Sequence, residues 1–359
     1  MGPSSWGSVT ALVIALACTT SACAPSAEEA DNEDVASSSE SALQRKELPR
    51  LVIDPNGTTV SGLSSGAFMA VQMHVAYARE VHGAAVFAGG PFLCAGGNSY
   101  TATTTCMAPA PNDAPSARIA VARAQSLALA GLVDSPSALA GSRVFLYGGA
   151  DDKTVAPVVM DSVRDFYASL AGDGGLSTHL HVPGTGHVLP TVDSGDSCDA
   201  GGTTYLGKCG FDGAGAALEH LYGKLEAPST TPKGRLLRFS QAPYASFASG
   251  MADNGYAYVP ASCSQGETCR IHVAFHGCKQ YATGPVGERF VRQSGYARWA
   301  DTNRIVVLFP QATTSVLNPN GCWDWWGYTG PFYATQLGPQ ISAIHRMIVT
   351  LSSGQSKPD

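Results

Sequence analysis

Gly62-Leu63-Ser64-Ser65-Gly66 fits the pattern G-x-S-x-G, in which the central serine can serve as a nucleophile. That chemistry needs a strand before the motif and a helix after it, so that the serine oxygen stands exposed on a tight turn. Thr58–Ser61 reads as the strand and residues 64–80 as the helix. Side chains in place of Gly62 and Gly66 would collide with the neighbouring strand and helix. Ser64 holds the central position. The backbone N–H of Ser65 then lies at a helix start, where donors are free and the dipole favours negative charge, and is the expected first oxyanion donor. A Gly/Ser-rich turn without chemistry is the plain alternative.

A nucleophilic serine needs a base and an acid, and in this motif's setting they follow in the order Ser, acid, His. Arg143–Tyr147 reads as a strand, and Gly148-Gly149-Ala150-Asp151-Asp152-Lys153-Thr154-Val155 follows it. Asp152 fits G-x-x-D-x-x-V with Gly149 and Val155, whereas Asp151 is expected to face solvent. Of the next histidines, His179 and His181 alternate with Leu180 and Val182 and are expected to share one strand face as structural residues. His187 sits in Gly184-Thr185-Gly186-His187, directly after that strand, and is the expected base. Its imidazole would take the Ser64 proton and return it to the leaving alcohol, with Asp152 fixing the tautomer.

Placing these residues requires a sheet. The first strand series is Thr58–Ser61, Ala84–Ala88, Arg143–Tyr147 and Thr178–Val182. The second is Arg235–Ser240, Gly255–Val259, Arg270–Phe275 and Ile305–Phe309. Helices are expected at 64–80, 116–131, 157–171, 212–222, 288–302 and 335–351, with Gly223 ending the fourth. The apolar stripe Phe68, Met69, Val71, Gln72, Val75 and Ala76 is expected to be core. The alternation implies an α/β fold with a mostly parallel central sheet flanked by helices.

In an ordinary α/β-hydrolase several strands precede the nucleophile, and one ends in His-Gly beside the oxyanion hole. Here too little chain precedes Ser64. The His-Gly strand stands near the other end, Arg270–Phe275 followed by His276-Gly277-Cys278. The expected fold is therefore a circularly permuted α/β-hydrolase joined through the Ala227–Pro232 loop. Cys278 N–H is the expected second oxyanion donor, and His276 is expected to be structural.

The chain has 359 residues, 44% of them hydrophobic and only 14% charged, against about 25% charged in typical soluble proteins. The net charge of −6 and the lack of any Lys/Arg run argue against nucleic-acid binding. Residues 1–23 read as an export segment, with Cys18 or Cys23 open as a lipidation site or the segment simply cleaved. Residues 24–47 read as a disordered linker, and residues 48–359 as one catalytic domain without a separate substrate-binding domain. Eight further cysteines, Cys94, Cys106, Cys198, Cys209, Cys263, Cys269, Cys278 and Cys322, imply disulfides in an exported chain. Sequence neighbours suggest Cys94–Cys106, Cys198–Cys209 and Cys263–Cys269, which leaves Cys278–Cys322. About 105 connectivities are formally open. No CxxC spacing supports a zinc site, and no metal or organic cofactor is expected.

Four segments together carry a resemblance: SGLSSGAFMAVQM around Ser64, GHVLPT at 186–191, AFHGCKQ at 274–280 and NPNGCWDWWGY at 318–328. Over roughly residues 48–352 the chain resembles the single-domain, circularly permuted poly(3-hydroxybutyrate) depolymerases. The resemblance implies a serine esterase with Ser64, Asp152 and His187 as triad and Ser65 and Cys278 as oxyanion donors. It also implies a crevice wall drawn from Trp323, Trp325 and Trp326. Core packing beside Cys278 and Cys322 is the other reading of these tryptophans. The implied substrate is a polyester surface or oligomer, met by a secreted monomer with no obligate protein partner. A low-charge surface suits such a substrate, because no ion need be desolvated on contact. Feruloyl or acetyl-xylan esterase activity is the rival reading, and a non-catalytic homologue is the remote one.

Overall fold

The computed structural model describes Gly2, residues 47–199 and residues 201–355. The expected export segment, apart from Gly2, and the linker as far as residue 46 lie outside the described residues. The strands are β1 (Ile53–Leu63), β2 (Gly83–Phe87), β3 (Arg143–Gly149), β4 (Leu176–Val182), β5 (Leu189–Thr191), β6 (Asp196–Ser197), β7 (Leu206–Lys208), β8 (Arg235–Ser240), β9 (Asn254–Val259), β10 (Cys269–Phe275) and β11 (Ile305–Phe309). The helices are α1 (Ser65–Ala76), α2 (Ser99–Thr104), α3 (Ala117–Leu129), α4 (Pro157–Leu170), α5 (Gly213–Tyr222), α6 (Ala261–Ser264), α7 (Arg289–Gln293), α8 (Tyr296–Asn303) and α9 (Pro339–Leu351).

Eight strands form one sheet in the order β4-β3-β2-β1-β10-β11-β9-β8. The strands from β4 through β11 run parallel, whereas β9 is antiparallel to both β11 and β8. The period-2 alternation of side chains explains why helices cover both faces. On β2, Ala84 and Val86 join the core beneath α1, α4 and α9, while Ala85 and Phe87 join the core beneath α5 and α8. β3 divides in the same way, Val144 and Leu146 against Phe145 and Tyr147. A separate small sheet, β5-β7-β6, follows β4.

Several elements differ from expectation. α1 carries no stripe: every residue from Ser65 to Ala76 is buried, as in a helix enclosed on all sides. The segment expected as one helix over 288–302 is two, because Gly295 takes φ 94° and breaks the ladder before α8. α9 begins only at Pro339, whose ring suits the first helical position and leaves residues 335–338 as a turn. Gly223 does cap α5, at φ 87°. His179 and His181 do not share a face. A bulge interrupts the β3–β4 register, and His181 takes φ 55°. His181 turns out to Asp161 on α4, 3.0 Å away, while His179 packs against Phe145 and Phe211 on the opposite side. Among the described residues four disulfides pair Cys94–Cys106, Cys198–Cys209, Cys263–Cys269 and Cys278–Cys322.

Candidate active site

Register brings the site together at one edge of the sheet. Gly62 on β1 pairs with Phe275 on β10, so His276-Gly277-Cys278 emerges beside Ser64. Leu63 pairs with Phe87, Phe87 with Tyr147, and Gly149 with Val182, so the Asp152 and His187 loops leave the same edge. Ser64 joins β1 to α1 at φ 58°, ψ −123°, a backbone conformation that a non-glycine residue holds only at a cost. The flanking glycines make this turn possible. A Cβ on Gly62 would lie 2.1 Å from Gly66 O, and one on Gly66 would lie 2.4 Å from the carbonyls of both Phe275 and His276.

Asp152 and His187 are both buried, each 4% exposed. His187 Nδ1 lies 2.7 Å from Asp152 Oδ2. Asp152 Oδ1 accepts the Thr154 and Val155 N–H groups at 2.7 and 2.9 Å, so the carboxylate is fixed from both sides. The neighbouring Asp151 is exposed and accepts the Gly184 N–H at 2.9 Å, which ties the acid loop to the histidine loop. The small sheet braces the other flank: Gly186 N–H donates to Cys198 O at 2.9 Å, and Cys198 is bonded to Cys209.

Ser64, His187 and Cys278 line one crevice of about 280 Å³, with Leu63, Phe68, Met107, Val155, Tyr205 and Trp325 supplying its apolar wall. Among the described residues Ser64 Oγ and His187 form no direct hydrogen bond; bonds of this kind often tighten only once substrate is bound. Neither Ser65 N–H nor Cys278 N–H is given to an acceptor among the described residues. Gln280 steadies the second of these loops by accepting Gly277 N–H at 2.6 Å and donating to Thr204 O at 2.8 Å. His276 is wholly buried. Its Nδ1 meets Gly277 O at 2.7 Å and its Nε2 accepts Ala312 N–H at 3.1 Å. Burial lowers its pKa to about 4, so it is a neutral structural ring.

The three tryptophans part company. Trp323 is fully buried against Phe275 and His276 and does not reach the crevice, which corrects its expected place in the wall. Trp325 lines the crevice and stacks on Phe68 with ring centroids 4.1 Å apart. Trp326 packs against Trp325 and Tyr328 and is also absent from the lining. The sequence reading missed what holds this segment. Asp324 is buried, and its two oxygens accept from the backbones of Gly327, Tyr328 and Thr329 and from the Thr329 hydroxyl. Burial pushes its carboxyl pKa up while these bonds pull it down. An aspartate between tryptophans was the available signal. Lys279 and Asn320, from the segments at 274–280 and 318–328, also line the crevice, as do Met107 and Tyr205, which no local pattern marks. Among the described residues no cluster of His, Cys, Asp or Glu could hold a metal ion.

A serine on a tight strand-to-helix turn, a buried Asp–His pair and a mostly parallel sheet with helices on both faces define an α/β-hydrolase-like protein. No family model matches the chain. It is 45% identical over 312 residues to a poly(3-hydroxybutyrate) depolymerase of Delftia acidovorans, covering 86% of this chain and 62% of that one. It is 37% identical over 324 residues to a polyhydroxybutyrate depolymerase of Talaromyces funiculosus, covering 86% of this chain and 93% of that one. A solved PHB depolymerase complexed with an R3HB trimer superposes with a TM-score of 0.79 at 36% identity, covering 86% of this chain and 99% of that one. The crystal structure of the PHB depolymerase from Penicillium funiculosum gives 0.78 at 36% identity, with the same coverage. The chain belongs to the poly(3-hydroxybutyrate) depolymerase family.

Proposed function

We propose that this protein is a serine esterase that hydrolyses poly(3-hydroxybutyrate) or related short-chain polyhydroxyalkanoates. The observation that carries the reading is one apolar crevice holding Ser64 on its strained turn beside the buried Asp152–His187 pair. With Nδ1 engaged by Asp152, His187 presents Nε2 to the substrate side. It takes the Ser64 proton as Oγ attacks the ester carbonyl. The N–H groups of Ser65 and Cys278 stabilise the oxyanion. Collapse breaks the ester C–O bond, and His187 returns the proton to the leaving alkoxide oxygen. Water, deprotonated by His187, then cleaves the acyl-enzyme and frees Ser64 and a carboxylic acid.

The names and substrates of the relatives support the substrate class. Strands β8 to β11 follow the triad loops in the chain yet lie beside β1 on the flank opposite β2, which favours the permuted connection. Four disulfides support a secreted protein. Lipidation at Cys18 or Cys23 is a separate proposal, checked by mass spectrometry of the mature N-terminus.

The test is release of soluble products from amorphous poly(3-hydroxybutyrate) by the wild type and by Ser64→Ala. Clearing by the wild type alone supports both nucleophile and substrate. Cleavage of feruloyl or acetyl esters without any action on the polymer removes the polyester reading and keeps the esterase. Failure to react with a fluorophosphonate probe removes both.

A further inference from the structure

Lys279 is the one Lys, Arg, Asp or Glu among the residues that line the crevice. The residue is exposed, and among the described residues no carboxylate pairs with its ammonium. It directly follows Cys278. Its backbone takes φ 67°, a left-handed conformation in which glycine is the ordinary choice. The position is held by its N–H, which donates to Asn320 O at 2.7 Å, and by the adjoining Cys278–Cys322 disulfide. A lysine is thus kept where the backbone favours glycine, inside a wall that holds no carboxylate and is largely apolar.

The interior of a polyester gives an ammonium nothing to pair with. A short hydroxyacid oligomer does, because it ends in one carboxylate. That carboxylate belongs to the alcohol side of any internal ester, the side that leaves when Ser64 is acylated. We propose that Lys279 is a specificity-determining residue that pairs with the terminal carboxylate of short hydroxyacid oligomers, so that the site favours acid-ended oligomers over neutral-ended ones. The proposal rests on the esterase reading and adds a chain-end preference to it.

The experiment compares kcat/KM for cleavage of internal esters in 3-hydroxybutyrate trimer and in its terminal carboxamide, at low and high salt. It uses the wild type, Lys279→Gln and Lys279→Arg. The wild type is expected to favour the acid by about 5-fold, the upper reach of an exposed ion pair, chiefly through KM. High salt should shrink that ratio. Lys279→Gln should bring it to about one, and Lys279→Arg should keep it. An acid-to-amide ratio equal in the wild type and Lys279→Gln overturns the role of Lys279 while leaving the esterase intact. Cleavage of neither substrate by the wild type overturns the esterase reading and this one with it.

Discussion

Ser61 Oγ lies 2.7 Å from His272 Nε2, and the pair sits inside a buried polar chain on the strands that lead to the Ser64 turn. The chain has one consistent direction. Tyr222 O–H donates to Ile271 O at 2.8 Å, so its oxygen accepts from Thr59, 2.7 Å away. Thr59 must then accept from His272 Nδ1–H at 2.8 Å. Nε2 is left to accept from Ser61, which accepts from Tyr296 O–H at 2.6 Å. Every proton is used once, and β1 is joined to β10, α5 and α8. The 15N shifts of His272 should therefore report a neutral Nδ1–H tautomer at pH 7, and an Nε2–H tautomer would break this assignment.

Burial lowers the His272 pKa to about 3, and burial followed by repulsion from His82 lowers that of His74 to about 3. With folded values below the unfolded 6.5, the unfolded chain binds more protons between pH 6.5 and about 3. Stability is then intact above 6.5 and falls as the pH drops through that window. Each such histidine adds up to about 1.4 kcal/mol per pH unit. Denaturant unfolding of His272→Gln between pH 5 and 6 should show the slope of stability against pH reduced by about 1 kcal/mol per unit. An unchanged slope would mean that the ring is protonated in the folded state.

The hydrogen bond between Asp152 and His187 predicts that Asp152→Asn folds normally yet loses kcat by on the order of 10⁴-fold, because the amide admits the wrong imidazole tautomer. Asp151→Asn should lose far less, since Asp151 touches the Gly184 backbone and not the ring. Steady-state kinetics on a soluble ester decide between them. Comparable losses in both variants would mean that the loop tether, and not the imidazole contact, carries the effect.

Much of this site is legible in the chain because its residues sit in short local patterns with a mechanical cause. Gly62 and Gly66 flag the turn at Ser64 because no side chain fits there, and Gly149 and Val155 frame Asp152 at a strand end. The crevice wall is not legible in that way. Phe68 reads as core, and Met107, Tyr205 and Asn320 arrive from separate loops that only the fold brings together. Trp323, Trp325 and Trp326 are alike in sequence, and the Asp324 turn decides which of them faces the crevice. The bulge at His181 likewise leaves no trace, because one shifted residue reverses a face without altering composition.

The Cys278–Cys322 bond fastens the loop of the proposed oxyanion donor Cys278 to the tryptophan segment and closes a span of 44 residues. Its replacement by Cys278→Ala with Cys322→Ala should cost about 4 kcal/mol of stability by loop entropy. It should also lower kcat by on the order of 10²-fold as the Cys278 N–H loses its position. Cys263→Ala with Cys269→Ala opens a bond at the far end of β10 and should reduce stability alone. Thermal melts paired with initial rates separate the two. An equal kcat in both double variants would show that the first disulfide does not position the donor.

Trp323 and Trp325 stand two residues apart and should fail in opposite ways. Trp323→Ala empties a fully buried site against Phe275 and should cost about 3–5 kcal/mol of stability. Trp325→Phe keeps an aromatic ring against Phe68 but withdraws part of the crevice wall. Its melting temperature should move little, while kcat/KM for a trimer falls by about 5- to 30-fold, the equivalent of one or two kcal/mol of lost apolar contact. Melting curves and oligomer kinetics on both variants check the assignment. A kinetic defect at Trp323 with a stability defect at Trp325 would reverse which ring forms the wall.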